Sequence, residues 1–240
     1  MDALFISDLH LSDDRPDITR AFLSFLKTKA ITAKRFYILG DLFEAWIGDD
    51  DPSELARTVI SALNKLSQTD TKVFVQKGNR DFLLGKRFAC ETGATLLTDY
   101  EVTSSGDKQF LLCHGDTLCL DDVDYIKFRR KVRNPLYSWG LVQLPLKFRQ
   151  TLAANWRAKS MAANSNKAAN IMDATPSEVD RLLVHYNCNI MIHGHTHRPK
   201  IHQHTNGVRY VLGDWDKQGW YVSLESGETA LINFDIQTRL

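Results

Sequence analysis

The sequence predicts a protein of the α/β class, built from βαβ units around parallel strands. Short apolar runs, typical of buried strands, alternate with longer segments whose apolar residues recur at helical spacing. Five of these runs end in Asp, Asn or His beside a small residue. Ligands bind at the carboxyl ends of strands in proteins of this class. We therefore expect the five strand ends to contribute side chains to one site.

Each predicted strand end joins an apolar run to a polar motif. The pairs are Leu4–Ile6 with Ser7-Asp8-Leu9-His10, Phe36–Leu39 with Gly40-Asp41 and Glu44, Val73–Val75 with Gly78-Asn79-Arg80-Asp81, Phe110–Cys113 with His114-Gly115-Asp116, and Ile190–Ile192 with His193-Gly194-His195-Thr196-His197. In the last motif His195 and His197 occupy alternate positions of an extended chain, so their side chains can share one face. Histidine is the commonest metal ligand, which favours a metal site over a His-rich, hydrogen-bonded turn.

The segments between these runs carry helix signals. Residues 17–30 place Ile18, Phe22 and Phe25 at helical spacing. Asp51-Pro52-Ser53-Glu54 is typical of a helix start, with Asp51 as the capping residue and a proline at the first helical position. The sequence Thr175-Pro176-Ser177-Glu178 predicts a second such start. Further strands are predicted over residues 95–102, 208–212, 220–224 and 229–234.

Residues 121–172 differ in composition from the segments on either side. Between Tyr125 and Met172 there is no Asp or Glu, and basic residues alternate with large apolar ones. Pro135 and Pro145 divide this stretch into helical pieces. We therefore predict a helical insertion, residues 121–172, in a core formed by residues 1–120 and 173–240. A basic, apolar helical unit suits contact with a membrane surface, although a solvated helical surface is the alternative.

The composition limits the classes of function. A net charge of +1 gives no global attraction to nucleic acid. The four cysteines form no CxxC pair, which suits reduced thiols. No apolar stretch approaches the roughly 18 residues of a transmembrane helix, and we expect no signal peptide. A soluble or membrane-attached protein, acting as a monomer, is favoured.

Seven residues at the strand ends are candidate metal ligands: Asp8, His10, Asp41, Asn79, His114, His195 and His197. One ion needs about four protein ligands, so the set indicates two ions that share a carboxylate. Two divalent ions can activate a water and stabilise an in-line displacement at phosphorus. Oxygen and imidazole donors suit Mn²⁺, Fe²⁺, Co²⁺ or Zn²⁺.

These motifs resemble those of the calcineurin-like metallophosphoesterases. The resemblance rests on Asp8-x-His10, Gly40-Asp41-x-x-Glu44, Gly78-Asn79-x-Asp81, His114-Gly115-Asp116 and Gly194-His195-x-His197, and it spans the chain outside the insertion. It implies a four-layered α/β-β-α sandwich with the helical insertion as a lid. It also implies one ion on Asp8, His10, Asp41 and His197, and another on Asp41, Asn79, His114 and His195.

Arg80 departs from the pattern of many family members, which have a histidine after the asparagine. An arginine cannot give up a proton near neutral pH, but it can stabilise charge that develops on a phosphate. A leaving group that is itself a phosphate needs little protonation. Arg80 therefore fits cleavage of a pyrophosphate better than cleavage of an alkyl phosphomonoester.

Within the family, the chain resembles enzymes of lipid A biosynthesis that cleave the pyrophosphate of a diacylated UDP-sugar. The resemblance implies Mn²⁺ as the metal, no nucleic-acid partner, and a peripheral place on the cytoplasmic side of the bacterial inner membrane. It implies catalytic roles for Asn79, Arg80 and His195. The implied substrate contacts are Asn79, Arg80, Asp122, Ser160, Asn164, Lys167 and His195.

Other polar residues of these motifs are expected to support the ligands. Asp116 is predicted to orient His114, and Asp81 and Glu44 are candidates for similar roles. His193 could point into the site or make a structural hydrogen bond. Two other functions stay open. One is a metallophosphoesterase whose basic insertion binds a soluble nucleotide or nucleic acid, and the other is a metal-binding regulatory scaffold without catalysis.

Overall fold

The computed structural model describes residues 1–165 and 173–236. Within them the strands are β1 (Ala3–Ile6), β2 (Arg35–Leu39), β3 (Lys72–Gln76), β4 (Thr95–Leu96), β5 (Tyr100–Ser105), β6 (Lys108–Cys113), β7 (Ile190–His193), β8 (Lys200–His204), β9 (Gly207–Val211), β10 (Gln218–Glu225) and β11 (Glu228–Asp235). The α-helices are α1 (Pro16–Thr28), α2 (Glu54–Ser67), α3 (Lys86–Thr92), α4 (Val123–Val132), α5 (Pro135–Val142), α6 (Leu146–Ser165) and α7 (Pro176–His185).

The strands form two mixed sheets. The first has the order β11-β10-β1-β2-β3-β4, and the second has the order β5-β6-β7-β9-β8. Strands β1 to β4 are parallel, as are β6, β7 and β9, whereas the antiparallel strands lie toward the sheet edges. The carboxyl ends of β1, β2 and β3 therefore lie along one edge of the first sheet, and those of β6 and β7 along one edge of the second.

Helices cover the outer faces of both sheets, which pack face to face. In β1, Leu4 and Ile6 pack against the helical side, while Ala3 and Phe5 pack between the sheets. This alternation between two buried faces explains why the strand is apolar at every position. Helices α1, α2 and α3 cover the first sheet, and α7 covers the second. The predicted four-layered sandwich is confirmed.

Helices α4, α5 and α6 lie in the stretch predicted as an insertion. They pack against Phe82 and Leu83 of the loop after β3 through Phe128, Val132, Tyr137, Leu141, Leu144, Leu152 and Trp156. The two ends of this stretch meet, because the backbone N–H of Thr175 donates to the carbonyl of Leu118 at 2.9 Å. Lys167 and the side chain of Asn164 lie outside the described residues.

Two sequence predictions about element boundaries were wrong. The chain from residue 95 to 102 is not one strand: β4 ends the first sheet and β5 begins the second. The side-chain amide of Gln76 stabilises the segment that passes from the first sheet to the second, since its Nε2 donates to the carbonyls of Thr98 and Asp99 at 2.6 and 3.0 Å. Helix α2 is capped by Ser53, whose Oγ accepts from Ala56 N, because Asp51 instead accepts from Ser53 N in the preceding turn.

Candidate metal centre and substrate cavity

The five predicted strand ends meet where the two sheets face each other. Their loops are joined in pairs by backbone hydrogen bonds. Asp8 N donates to Gly40 O at 3.1 Å, His10 N to Asp41 O at 3.0 Å, and Gly194 N to His114 O at 2.9 Å. The third of these bonds joins two loops of the second sheet, while the first two join loops of the first. The candidate ligands of both sheets are therefore held on a rigid frame.

The backbone at this site is left-handed at most of the candidate ligands. Asp8, His10, Asp41, His195 and His197 have φ values of 55°, 50°, 52°, 68° and 54°. Residues with a side chain rarely adopt this conformation, and it persists only where the surrounding structure enforces it. Among the described residues, only two other non-glycine positions share it. This concentration of strain marks the loops as a functional site.

Two glycines allow the loops to approach the buried carboxylates of the site. A Cβ on Gly78 would lie 2.0 Å from Oδ1 of Asp41, and a Cβ on Gly194 would lie 2.0 Å from Oδ2 of Asp8. Both carboxylates are almost completely buried. Any side chain at either glycine would therefore displace a candidate ligand, which explains why each motif contains a glycine.

Asp41 lies between two groups of donor atoms. Its Oδ2 is 3.9 Å from Nε2 of His10 and 3.7 Å from Nε2 of His114. On one side, Nε2 of His10 and Nε2 of His197 are 3.3 Å apart, and the latter is 3.5 Å from Oδ1 of Asp8. Two nitrogen ligands about 2.0–2.1 Å from one ion lie roughly 3–4 Å apart, so these separations suit a shared cation.

The second group of donors surrounds Asn79. Its Oδ1 lies 2.9 Å from Nε2 of His114 and 2.9 Å from Nδ1 of His195. Nδ1 of His114 donates to the carbonyl of Leu39 at 2.9 Å, so in the neutral ring that a metal ligand requires, Nε2 offers its lone pair on the side of Asn79. That lone pair and Oδ1 of Asn79 can then bind the same cation. The structure thus brings all seven candidate ligands together in a way that fits two cations.

The acidic members of the site also need a compensating charge. Among the described residues neither Asp8 nor Asp41 pairs with a lysine or arginine, and their ionic contacts are to histidines alone. Buried carboxylates are costly without such compensation. Asp8 lies in both groups of potential ligands, Asp8 with His10 and His197, and Asp8 with Asp41 and His114. Asp8 therefore lies within reach of His114 as well as of His10 and His197.

Histidine pKa values at the site shift in opposite directions. Burial, followed by the neighbouring charge of His114, lowers the pKa of His195 to about 4. Burial also lowers the pKa of His197, but contact with Asp8 outweighs it and raises that pKa to about 9. His195 is therefore neutral near pH 7, as a ligand must be. Binding of a cation beside His197 would release its proton.

Two of the residues predicted to support the ligands do so. Oδ1 of Asp81 accepts from Gly78 N at 2.6 Å and its Oδ2 accepts from Leu42 N at 2.8 Å, so this carboxylate joins the loops after β2 and β3. Oε2 of Glu44 lies 3.0 Å from Nδ1 of His10. His193, which the sequence left open, is completely buried and its Nδ1 donates to Gly194 O at 2.8 Å, which is a structural role.

The prediction that Asp116 orients His114 was wrong. Oδ2 of Asp116 accepts instead from the hydroxyl of Tyr125 at 2.5 Å and from Nε of Arg129 at 2.7 Å. Both partners come from α4 of the insertion, and the ring of His114 is held by the carbonyl of Leu39. The physical reason is that a longer-range partner, invisible in the local motif, offers this buried carboxylate a positive charge.

A cavity of about 660 Å³ extends from the candidate ligands to the underside of the insertion. This volume lies within the range of small-molecule sites. Its polar end includes His10, Asp41, Asn79, Arg80, Asp122, Ser160, His195 and His197. Its other end is apolar and includes Trp46, Ile47, Phe82, Leu83, Phe128, Leu141, Leu152 and Trp156. Five predicted substrate contacts line it, whereas Lys167 and the side chain of Asn164 lie outside the described residues.

Arg80 has an unused hydrogen-bond donor in this cavity. Its backbone N–H donates to Oδ1 of Asp41 at 2.8 Å, which fixes the residue beside the ligands. Nε of its guanidinium is buried and has no hydrogen-bond partner in the described structure. Buried donors are almost always satisfied, so one left free points to a ligand or water that binds there.

Trp46, Tyr125 and Arg157 are among the cavity residues that sequence reasoning missed. The ring of Tyr125 lies 5.9 Å from that of His195, between centroids. Trp46, which belongs to the loop after β2, packs against Phe43 of the same loop and Phe88 of α3. None of the three belongs to a strand-end motif, and only the acid-free composition around Arg157 hinted at a role for that helix.

Basic residues of the insertion were expected to form a membrane surface, and four of them bind the core instead. The contacts are Arg129 with Asp99 and Asp116, Arg133 with the carbonyls of Lys77 and Gly78, Arg149 with Asp50 and the carbonyl of Ile47, and Arg157 with Glu44. The stretch from Tyr125 to Met172 has no acid to pair with these charges, so they contact carboxylates and carbonyl oxygens of the core instead.

Known proteins with similar sequences identify the family. Residues 1–199 match the calcineurin-like phosphoesterase family. The UDP-2,3-diacylglucosamine hydrolase of Pseudomonas fluorescens (strain Pf0-1) is 48% identical over 97% of this chain and 95% of its own length. The corresponding proteins of Azotobacter vinelandii and Marinobacter nauticus are 46% and 50% identical, covering 98% and 95% of this chain and 100% and 95% of their own.

Solved structures show the same fold at low sequence identity. An archaeal phosphodiesterase superposes with a TM-score of 0.50 at 13% identity, covering 98% of this chain and 100% of its own. A Thermotoga maritima protein superposes with a TM-score of 0.50 at 16% identity, covering 97% and 98%. These likenesses concern the fold alone. The family match over residues 1–199 and the sequence relatives establish that this chain belongs to the calcineurin-like phosphoesterase family and, within it, to the UDP-2,3-diacylglucosamine hydrolases.

Proposed function

We propose that this chain hydrolyses the pyrophosphate bond of UDP-2,3-diacylglucosamine, by attack of water on the α phosphorus, to UMP and 2,3-diacylglucosamine 1-phosphate. The observation that carries the proposal is a single cavity whose polar end suits a diphosphate and whose other end is apolar. Relatives that share about half of the sequence over nearly its full length carry the name of this activity.

The seven candidate ligands would hold two divalent ions, for which we propose Mn²⁺. Their oxygen and imidazole donors suit that ion, and the close approach of Nε2 of His114 and Nδ1 of His195 to Oδ1 of Asn79 supports a shared cation there. When bound, the ions supply an activated water at neutral pH and neutralise charge on the phosphates.

The residues around the ligands would bind and orient the diphosphate. The free Nε of Arg80 is placed to donate to a phosphate oxygen, and the planar guanidinium would stabilise the charge that develops there. Asn79 and the neutral His195 would contact oxygens of the phosphate that is attacked, through side-chain N–H groups that the proposed ions leave free. The expelled group is a sugar 1-phosphate that needs little protonation. The proposed site therefore works without a proton-donating side chain.

The apolar end of the cavity would hold the acyl chains. Trp46, Phe82, Phe128, Leu141 and Trp156 surround it, and each buried CH₂ contributes about 0.8 kcal/mol to binding. Asp122 and Ser160 line the same cavity and would contact the sugar. We assign Asn164 and Lys167 to the same half of the substrate from their helical spacing after Ser160.

The insertion also exposes apolar side chains that would contact the cytoplasmic surface of the inner membrane. Leu136, Trp139 and Phe148 of α5 and α6 are 79%, 64% and 57% exposed. Within the described residues, no helix is long and apolar enough to cross a bilayer, so we propose peripheral attachment. All proposed ligands come from one chain, which supports a monomer.

The membrane contact can be tested with Trp139→Ser. This variant should lose binding to lipid vesicles, whereas its turnover in detergent should not change.

Release of UMP from pure UDP-2,3-diacylglucosamine tests the proposal. The purified chain with Mn²⁺ should release UMP, measured by anion-exchange chromatography, and a chelator should abolish the release. Cyclic nucleotides and single-stranded DNA serve as comparison substrates. Turnover of these substrates without any release of UMP would favour the soluble-nucleotide or nucleic-acid alternative and contradict our assignment.

A further inference from the structure

Glu44 connects the insertion to the metal centre. Its Oε2 lies 3.0 Å from Nδ1 of His10, and its Oε1 lies 3.0 Å from Nε of Arg157. Nη1 of Arg80 lies 3.8 Å from the same Oε1. The Glu44 side chain is only 14% exposed. One carboxylate thus faces a candidate metal ligand of the core, a substrate-binding arginine and an arginine of α6.

The contact with His10 sets the direction of the ring. Nε2 of His10 faces Asp41 and His197, so Nδ1 is the atom on the far side, where a carboxylate commonly fixes a ligating imidazole. Nδ1 of His10 is buried and makes no hydrogen bond in the described structure, although Oε2 of Glu44 lies 3.0 Å away. The contact is therefore electrostatic and depends on the charge and position of Glu44.

The charge of Glu44 is maintained by its cationic neighbours. The guanidinium groups of Arg80 and Arg157 lie 3.8 Å and 3.0 Å from Oε1, and cations at these distances stabilise the charged carboxylate against its burial. Arg157 is about half exposed, and such an ion pair contributes little to global stability. Its effect should consequently be local, on the carboxylate and on the ring that the carboxylate faces.

Arg157 is available to this carboxylate only when α6 lies over the core. The helix is fixed at its start by Arg149, which donates to the carbonyl of Ile47 and pairs with Asp50. Arg157 lies about two turns further on and lines the cavity together with Ser160. The position of the helix above the cavity therefore decides whether Glu44 has its second cationic partner.

We propose that Arg157 and Glu44 are positioning residues that couple closure of the insertion over the cavity to the orientation of His10, so that the metal centre reaches full affinity only in the closed form. The inference rests on the proposed two-ion site and concerns its regulation. It makes metal binding and substrate enclosure parts of one event, because both require α6 above the cavity.

Titration of the metal-free full-length chain with Mn²⁺ in a calorimeter, without substrate, tests the coupling. Glu44→Ala should weaken Mn²⁺ binding about 10- to 100-fold, as for other partners of ligating histidines. Arg157→Ala should weaken it by about three- to tenfold, and Arg157→Lys should restore most of the loss. In a Glu44→Ala background, Arg157→Ala should add less than about twofold, because its effect passes through Glu44.

Lys147→Ala is the matched control, since Lys147 is an exposed basic residue of the same helix and its loss removes the same charge. It should bind Mn²⁺ like the wild type. Circular dichroism of each metal-free variant checks folding. Unchanged Mn²⁺ affinity in Arg157→Ala, additive losses in the double variant, or a wild type that binds no Mn²⁺ would each overturn the inference. A wild type that binds Mn²⁺ but releases no UMP would instead refute the substrate assignment and leave the coupling intact.

Discussion

At the residue scale, Asp41 is the carboxylate on which the two groups of donors depend. Its Oδ2 lies within 4 Å of one imidazole of each group, and its Oδ1 accepts from the backbone of Arg80. The Asp41 side chain thus links the two proposed metal ions to Arg80, the residue that would bind phosphate. Asp41 has a left-handed backbone here, and its carboxylate fits beside Gly78 only because that residue has no Cβ.

Replacing Asp41 with alanine should lower the rate of UMP release by several orders of magnitude, because both proposed ions lose a ligand at once. Elemental analysis should show reduced metal content in the same preparation. Asp13→Ala, at an exposed aspartate nearby in sequence, is the control and should keep full activity. More than about a tenth of the wild-type rate in Asp41→Ala would count against a shared carboxylate.

Arg80→Lys should reduce kcat/KM for UMP release by roughly a hundredfold, since a point charge does not reproduce the planar guanidinium. Arg80→His should be equally poor, because the sugar 1-phosphate that leaves needs little protonation. The hydrogen bond from the backbone N–H of residue 80 to Oδ1 of Asp41 does not depend on the side chain at position 80, so the metal content of both variants should not change. A fully active Arg80→His enzyme would show that proton donation is the required function.

At the element scale, the insertion has two faces with different tasks. Its inner face closes the cavity with apolar side chains and binds the core through four arginines. Its outer face leaves Trp139 and Phe148 exposed. These two sets of side chains lie on the same helices, so substitutions can separate the proposed acyl-chain binding from the proposed membrane contact.

Leu152→Ser should raise KM for the diacylated substrate by about tenfold, since it removes roughly 1.4 kcal/mol of apolar contact from the cavity wall. Turnover of a small phosphodiester such as bis(p-nitrophenyl) phosphate should be unaffected. Phe148→Ser, an exposed position on the same helix, should leave both reactions unchanged in detergent. If Leu152→Ser impairs both substrates equally in a folded protein, the insertion is structural and does not receive acyl chains.

At the scale of the whole molecule, the metal centre connects the two sheets. Asp8, His10, Asp41 and Asn79 follow strands of the first sheet, whereas His114, His195 and His197 follow strands of the second. A cation bound between them would cross-link the two halves of the sandwich. It would also neutralise carboxylates that the fold buries without lysine or arginine partners among the described residues.

Removal of metal should therefore lower the melting temperature. Mn²⁺ at a hundredfold excess over its Kd stabilises the native state by about 2.7 kcal/mol, which corresponds to roughly 5–10 °C for a chain of this size. Differential scanning calorimetry with Mn²⁺ and with EDTA measures the difference. Asp41→Ala should show a much smaller shift. Identical melting temperatures with and without Mn²⁺ in the wild type would exclude the cross-link.

The sequence alone determined the elements that local chemistry controls. Apolar runs predicted the central strands, and the polar residues directly after them, such as Asp8 and His195, supplied the candidate ligands. The end of a strand determines the position of the residue that follows it, so the positions of these candidate ligands depend on local sequence. The same locality explains why Asp81 and Glu44 were correctly expected to support the site.

Only the tertiary structure decided how these elements meet. Residues 95–102 are divided between the two sheets. Asp116 accepts hydrogen bonds from Tyr125 and Arg129 rather than from His114. Arg149 pairs with Asp50, which is 99 residues away in the sequence. Periodicity records which side chains are buried but not what they face. Partners of buried charges are chosen by distance in space, and that distance exists only once the two sheets and the insertion have packed together.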